Sequence, residues 1–484
     1  RTYNYFGVNG DDFKIPTKPT VGSATNVFPS YTPLQEKRIN SLYGAATLSF
    51  RNMVYLDVSG RNDWSSTLPE DNWSYFYPSA SLSFMLNEIV DLSSARIDFL
   101  KLRGSWAKVG GDTDPYQLDI AYNLASTTSS YLGLTTLTKP STRLNPDLKP
   151  EQTTSIEAGL ELRMFLNRLY FDASYYTIKS EDLIMDVPVS PSTGYSTFRS
   201  NVGQITNKGF EFILGGIPFQ TDNLTWDVSM NFSKNENTLD ELIEGLEDFT
   251  FSDVNSGIVT VRATVGEGFG DIWGTDYKRT DDGRLIVDAN GRPQATSEHV
   301  KLGNYQPDWI GGMTNTLRYK DLSLNILIEA RFGGQLFSGS TASLDGAGVS
   351  ERSLDYRETG ILVDGVVNTG TVEEPVYQTN TQSITAQEYF GSITGIASEY
   401  IFDQTNIRLR EIALSYRLPG NFFENIFLES ATVSLIGRNL FFIYSEMKDF
   451  DPISSYSTSN FAQGMLWFNL PTTRSIGFNI NVKF

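Results

Sequence analysis

The sequence predicts an all-β fold: the wall of a transmembrane, antiparallel, up-and-down β-barrel. Apolar and polar residues alternate with a period of two over long segments, and successive side chains of a strand point to opposite faces. Those segments run about 11–14 residues, where sandwich strands run about 5–6 and a bilayer-spanning strand needs roughly 9–11. Their connections alternate between short and long, the asymmetry of barrels with short periplasmic turns and long extracellular loops.

Thirteen strands are expected. Segments 39–50 and 52–62 meet at Arg51, and 75–86 and 97–109 are joined by 87–96. In 152–165, Ile156, Ala158, Leu160, Leu162 and Met164 oppose Ser155, Glu157, Gly159, Glu161 and Arg163. A tight link through Leu166 and Asn167 leads into 168–180. Segments 204–216 and 224–236 follow, the second setting Trp226, Val228, Met230 and Phe232 against Asp227, Ser229, Asn231 and Ser233. Lys320 and Asp321 turn 309–319 into 322–332, where Leu324, Ile326, Ile328 and Ala330 share one face. Segments 405–418 and 431–442 are joined by 419–430. The last strand, 473–484, alternates Ile476, Phe478, Ile480, Val482 and Phe484 with Ser475, Gly477, Asn479, Asn481 and Lys483. Connections 63–74, 110–151, 181–203, 237–308, 333–404 and 443–472 are the long, extracellular ones.

Charge placement agrees with these faces. A Lys or Arg facing lipid at mid-bilayer costs about 2–4 kcal/mol, and the apolar sides of 152–165, 224–236 and 322–332 carry only Lys234, at an outer end. Arg408 and Arg410 share parity with Ile412 and Leu414. Either they stand above the membrane or a bulge reverses the parity there. Outside the strands, 1–38 with Pro16, Pro19, Pro29 and Pro33 reads as an irregular extracellular loop. Leu239, Leu242, Ile243 and Leu246 among Asp240, Glu241, Glu244 and Glu247 read as a short acidic surface helix.

Composition narrows function. The 484 residues carry 38 Lys+Arg against 57 Asp+Glu, a net charge of −19, which argues against nucleic acid as a partner. Cys is absent and His299 is the single His, so thiol chemistry and multi-His metal sites are not expected. No carboxylate pair is marked out for hydrolysis, and no enzyme is expected. The 266–270 segment, Gly-Glu-Gly-Phe-Gly, reads as a surface loop. Gly283 and Gly291 read as the turns of a loop hairpin. Ca²⁺ at the neighbouring Asp281, Asp282 and Asp288 stays open, though no EF-hand Glu follows in register; no other cofactor is expected. Trp64, Trp73, Trp273, Tyr277 and Tyr400 fall on extracellular connections. There they could stack sugar rings or grip peptide side chains; anchoring at the membrane rim is the plainer role.

Several tracts carry a resemblance. They are Asn-Pro-Asp-Leu-Lys-Pro-Glu at 145–151, Asn-Val-Gly-Gln-Ile-Thr-Asn-Lys-Gly-Phe-Glu at 201–211, and Leu-Gly-Asn-Tyr-Gln-Pro-Asp-Trp-Ile-Gly-Gly at 302–312. Arg-Phe-Gly-Gly at 331–334, the 406–419 strand, Gly-Arg-Asn-Leu at 437–440 and Leu-Pro-Thr-Thr-Arg at 470–474 complete the set. Together they resemble the SusC/RagA family of TonB-dependent outer-membrane transporters. The resemblance implies an importer of oligosaccharides or oligopeptides in the cell outer membrane, working with a SusD-like surface lipoprotein lid and a TonB complex. It makes Phe484 the C-terminal assembly signal. It makes 1–38 most of an extracellular loop and 39–484 the C-terminal part of a barrel of about 22 strands, with the plug and first strands outside this sequence. A passive porin or structural barrel, and a soluble carbohydrate-binding β-protein, are the alternatives.

Overall fold

The structure, a computed structural model, describes residues 6–13, 24–31, 35–124, 137–243, 245–253, 257–423, 428–456 and 463–484. Its main body is one antiparallel sheet of thirteen strands in sequence order. They are β1 (Ile39–Phe50), β2 (Val54–Ser65), β3 (Ser74–Met85), β4 (Ile97–Gly111), β5 (Glu151–Met164), β6 (Leu169–Glu181) and β7 (Gln204–Gln220). The sheet continues through β8 (Leu224–Glu241), β9 (Trp309–Tyr319), β10 (Leu322–Phe332), β11 (Asn406–Arg417), β12 (Ser430–Ser445) and β13 (Ser475–Lys483). All thirteen expected strands are present, and each pairs with its neighbours along the chain.

The periplasmic turns explain small offsets in the expected bounds. Arg51 and Asn52 both sit at positive φ (49° and 55°), the conformation two-residue hairpin turns adopt because it matches strand twist. They therefore belong to the turn, and β2 starts at Val54 rather than 52. At the other rim β8 runs on to Glu241, carrying the wall above the membrane.

Two expectations are corrected, and one left open is decided. Residues Phe6–Phe13 and Ala24–Tyr31 form an antiparallel hairpin within the stretch expected to be irregular. Among the described residues no helix follows β8: Leu239 still lies on that strand, and it is buried with Leu242 and Ala263 in a small core. The leucines are apolar because they are covered. Arg408 and Arg410 are reconciled with their strand by a bulge. Glu411 pairs with Leu327 and Leu409 with Ile328, leaving Arg410 as the extra residue. Above it the parity flips, so Arg408 opposes Glu329 on the polar face and bonds it through Nε (2.9 Å) and Nη2 (2.6 Å).

The polar face carries ion pairs of this kind elsewhere. Arg103 on β4 donates to both carboxylate oxygens of Asp172 on β6 (3.0 and 2.8 Å) and approaches Glu157 on β5 (3.6 Å). The apolar face carries a ladder of rings instead: Phe212 stacks on Phe232 (5.1 Å), Phe232 on Trp309 (5.4 Å) and Trp309 on Phe332 (4.2 Å). The outer strands differ from the rest: every residue of β1 and β13 is exposed, and among the described residues no ladder joins them.

Candidate functional site: the extracellular loop subdomain

The fully buried side chains of this chain lie mostly above the wall. Val259, Val261, Ile272, Phe337, Phe390, Ile393, Ile396, Tyr400 and Met465 form one apolar core. They come from the connections 237–308, 333–404 and 443–472, which fold together instead of standing as separate loops. Short ladders stitch them: Gln335–Ser338 pairs with Ile401–Asp403 on one side and with Met465–Leu466 on the other. Ile286–Val287, between the Gly283 and Gly291 turns, pairs with Val366–Val367 from the next connection.

Two short helices complete the core. In α1 (Gly339–Gly346) the Ser338 hydroxyl accepts from the Thr341 N–H, capping the first turn. In α2 (Ala386–Ile393) Thr385 and Glu388 form a reciprocal capping box. Arg292, 2.7 Å from Glu388, and then the Thr385 N–H and hydroxyl hold the Glu388 carboxyl down at about 2.

Arg352 ties the pieces together. Its guanidinium donates to the fully buried Asp345 carboxylate (Nε, 2.9 Å) and to Glu399 (2.7 Å), and covers the Tyr400 ring at 5.4 Å. Tyr277 donates to the other Glu399 oxygen at 2.8 Å. Burial, then that hydrogen bond, pushes the Tyr277 hydroxyl far up, so it stays a donor. Burial likewise raises the Asp271 carboxyl, which Asn304 (2.7 Å) and Lys301 (3.0 Å) hold in place.

Below this subdomain, the polar face lines a cavity of about 870 Å³. Arg103, Glu157, Asp172, Tyr176, Glu329 and Arg408 project into it, and Ile453 enters from the 443–472 connection. Oppositely charged groups in such a concavity suit a polar or zwitterionic occupant better than an apolar one. Sequence reasoning named none of these residues as a site, and Arg408 entered it only as a conflict of parity. Their only signal was charge at polar-parity positions of separate strands.

The aromatic candidates fall in different places. Trp64 is on β2, not in a connection, with the apolar-face parity of Leu56 and Val58, which suits rim anchoring. Trp73 stays 44% exposed at the outer rim. Trp273 is half-buried beside Arg262 (5.2 Å). Tyr277 is half-buried and engaged with Glu399. Tyr400 has no exposed surface; it is a core residue and offers no face to a ligand. His299 is also partly covered, its Nε2 2.7 Å from the Gly257 carbonyl.

The sequence tracts prove to be joints that fasten loops to the wall. Asn201 bonds the Lys149 N–H and carbonyl (both 2.8 Å), clasping 145–151 with Leu148 wholly buried. Gly333 at φ +70° lies against Asp308, where an added Cβ would sit 2.3 Å from Oδ2; this ties 302–312 to 331–334. Asn439, at φ 51°, accepts from Arg410 (2.5 Å) and donates to the Thr473 carbonyl (3.0 Å), linking 406–419, 437–440 and 470–474.

Comparison with known proteins agrees with this architecture. The family model described as TonB dependent receptor-like, beta-barrel matches residues 1–347. TonB-dependent receptor P26 of Formosa agariphila is 29% identical over 510 residues, covering 99% of this chain and 49% of that protein. TonB-dependent receptor SusC of Bacteroides thetaiotaomicron is 24% identical over 314 residues, covering 61% and 31%. The solved RagAB peptide transporter matches in fold with a TM-score of 0.72 at 22% identity, over 96% of this chain and 49% of that one. The chain thus spans about half the length of the P26 receptor and of the RagAB chain. With a family model matched over most of its length and the SusC/RagA tracts in their structural places, this chain belongs to the TonB-dependent receptor β-barrel family.

Proposed function

We propose that the chain is the C-terminal wall and extracellular head of an outer-membrane importer that takes up oligopeptides or oligosaccharides by TonB-dependent transport. The observation that supports this best is the single apolar core uniting three connections above a charged, concave polar face. A folded head presents a fixed surface to a partner and to cargo, where a passive pore needs only a rim. The likeness in fold to the RagAB peptide transporter favours peptide, and so does the mixed charge of the cavity.

In this reading a SusD-like lipoprotein caps the head, and Trp73 is the best-exposed of the five aromatic candidates for cargo or lid. Residues 39–484 supply thirteen strands, and about nine more with a plug complete a barrel of about 22. Those strands would cover the exposed edges of β1 and β13, since unpaired backbone groups in lipid cost several kcal/mol each. TonB acts through the plug. The role is transport, with no catalytic step and no cofactor.

Val349, Leu354 and Leu362 are exposed apolar side chains on the head. Replacing Leu354 and Leu362 together by Glu is expected to abolish co-purification of the lipoprotein while the barrel still inserts. Undiminished co-purification contradicts the assignment of this face to the lid.

A further inference from the structure

The apolar face is interrupted at its periplasmic rim by a groove of about 1040 Å³. Ile97, Leu169, Leu214 and Met230 line its wall, and Phe165 and Leu166 form one side at the turn between β5 and β6. The wall positions share the apolar parity: Ile97 and Leu169 both oppose Met164, and Leu214 opposes Met230. Two features make the surface concave there. Gly216 contributes no side chain, and an added Cβ would meet the Arg168 carbonyl at 2.5 Å. The β7–β8 ladder also slips between Gly216 and Phe219.

The turns around the groove form a braced shelf. The Phe165 N–H bonds the Arg96 carbonyl (3.0 Å), the Ile217 N–H bonds the Arg168 carbonyl (2.8 Å), and the Asn167 N–H bonds Asp98 (3.0 Å). Two arginines border it. Arg168 spends its guanidinium on the Ile217 and Pro218 carbonyls, which leave its charge unneutralised. Arg96 is exposed. Against these two cations the groove presents one acid, Asp98, so its rim is net positive.

Depth matches the charge. Met230 lies six residues above the start of β8, roughly 20 Å along a strand at ~3.3 Å per residue. With a tilt of about 35–45° that is roughly 15 Å of depth, on the order of half the ~25 Å apolar band. The groove therefore runs from the headgroup level to about the bilayer midplane, the reach of one acyl chain in one leaflet.

From the apolar parity, the cationic rim and this depth, we infer that the groove is a binding site for one phospholipid of the periplasmic leaflet. Its phosphate sits at Arg96 and Arg168, and an acyl chain lies along Leu214 and Met230. The inference rests on the membrane placement proposed above but not on cargo, lid or plug.

The test counts phospholipid retained by the full protein after purification from outer membranes in a mild nonionic detergent, by phosphate assay and mass spectrometry. Wild type is expected to keep about one phospholipid per chain. Arg96→Gln is expected to lower that several-fold, and Met230→Trp, which fills the groove, to abolish it. Leu324→Trp, on the same face but outside the groove, should retain it. Equal retention by all four overturns the inference, as does equal loss from Leu324→Trp. Retention in wild type of detergent alone overturns it too. Failure of the wild type to fractionate with membranes would instead strike at the membrane placement, so the two failures are distinguishable.

Discussion

Phe232→Arg and Ile326→Arg are each expected to block assembly into the membrane, while Asn231→Arg and Asn325→Arg leave it nearly unchanged. Phe232 and Ile326 lie on the apolar face within the membrane band, where Arg costs up to about 2–4 kcal/mol, the full amount at mid-bilayer. Phe232 is also the middle ring of a stack, with Phe212 and Trp309 on its two sides. Each aromatic contact adds about 0.5–1.5 kcal/mol beyond area burial, so Phe232→Arg should be the more damaging. Asn231 and Asn325 face the polar side; Asn325 there bonds the Thr316 hydroxyl at 2.9 Å. Heat-modifiable gel mobility of membrane fractions reads the outcome. Equal yields for both pairs would mean the faces are wrongly assigned.

The second large effect concerns Tyr400. Tyr400→Ala is expected to destabilise the head by about 3–5 kcal/mol, the range for truncating a fully buried aromatic, and to leave the wall inserted. Its ring lies under the Arg352 guanidinium, which also holds Asp345 and Glu399. The cavity would therefore loosen the contact that joins α1 to the 397–400 turn. Limited proteolysis should cut the 333–404 connection ~100-fold faster or more, since each 1.4 kcal/mol is about tenfold in the opened population. Tyr400→Phe keeps the ring and should behave nearly as wild type. A folded head in Tyr400→Ala with a specific loss of cargo binding would restore this residue as a ligand contact and overturn its place in the core.

The wall was legible because its physics is local: period-two alternation over Ile156–Met164 or Leu322–Phe332 is imposed by having lipid on one side and a polar interior on the other. The head was not. Val261, Phe337, Tyr400 and Met465 meet from positions up to about two hundred residues apart, and none lies in a periodic segment. The same blindness turned Leu239 and Leu242 into one face of a supposed helix, although tertiary burial explains them. At Arg408 the sequence exposed the conflict but not its resolution, because a bulge is a property of the pairing with β10 and not of β11 alone. The family tracts were legible as motifs, but their role as clasps, such as Asn201 on Lys149, appears only when both partners are placed.

The central claim is that these thirteen strands are one arc of a larger wall, with β1 and β13 each needing a neighbour from elsewhere. β1 and β13 run the same way in a sheet of alternating strands, so joining them would require a parallel pair, which bacterial single-chain barrels avoid. The chain has no Cys, so introduced pairs are the only thiols in it. Cysteines at Tyr43, Ala45 or Thr47 of β1 can be combined with cysteines at Gly477, Asn479 or Asn481 of β13, all on the polar face. They are treated with a short thiol cross-linker in the membrane-assembled protein, with Thr47 and Asp57, direct partners in β1 and β2, as the control pair. The account predicts efficient cross-linking of the control and none between β1 and β13 in any combination. Cross-linking of β1 to β13 at the control's yield would show a closed thirteen-strand barrel and contradict it.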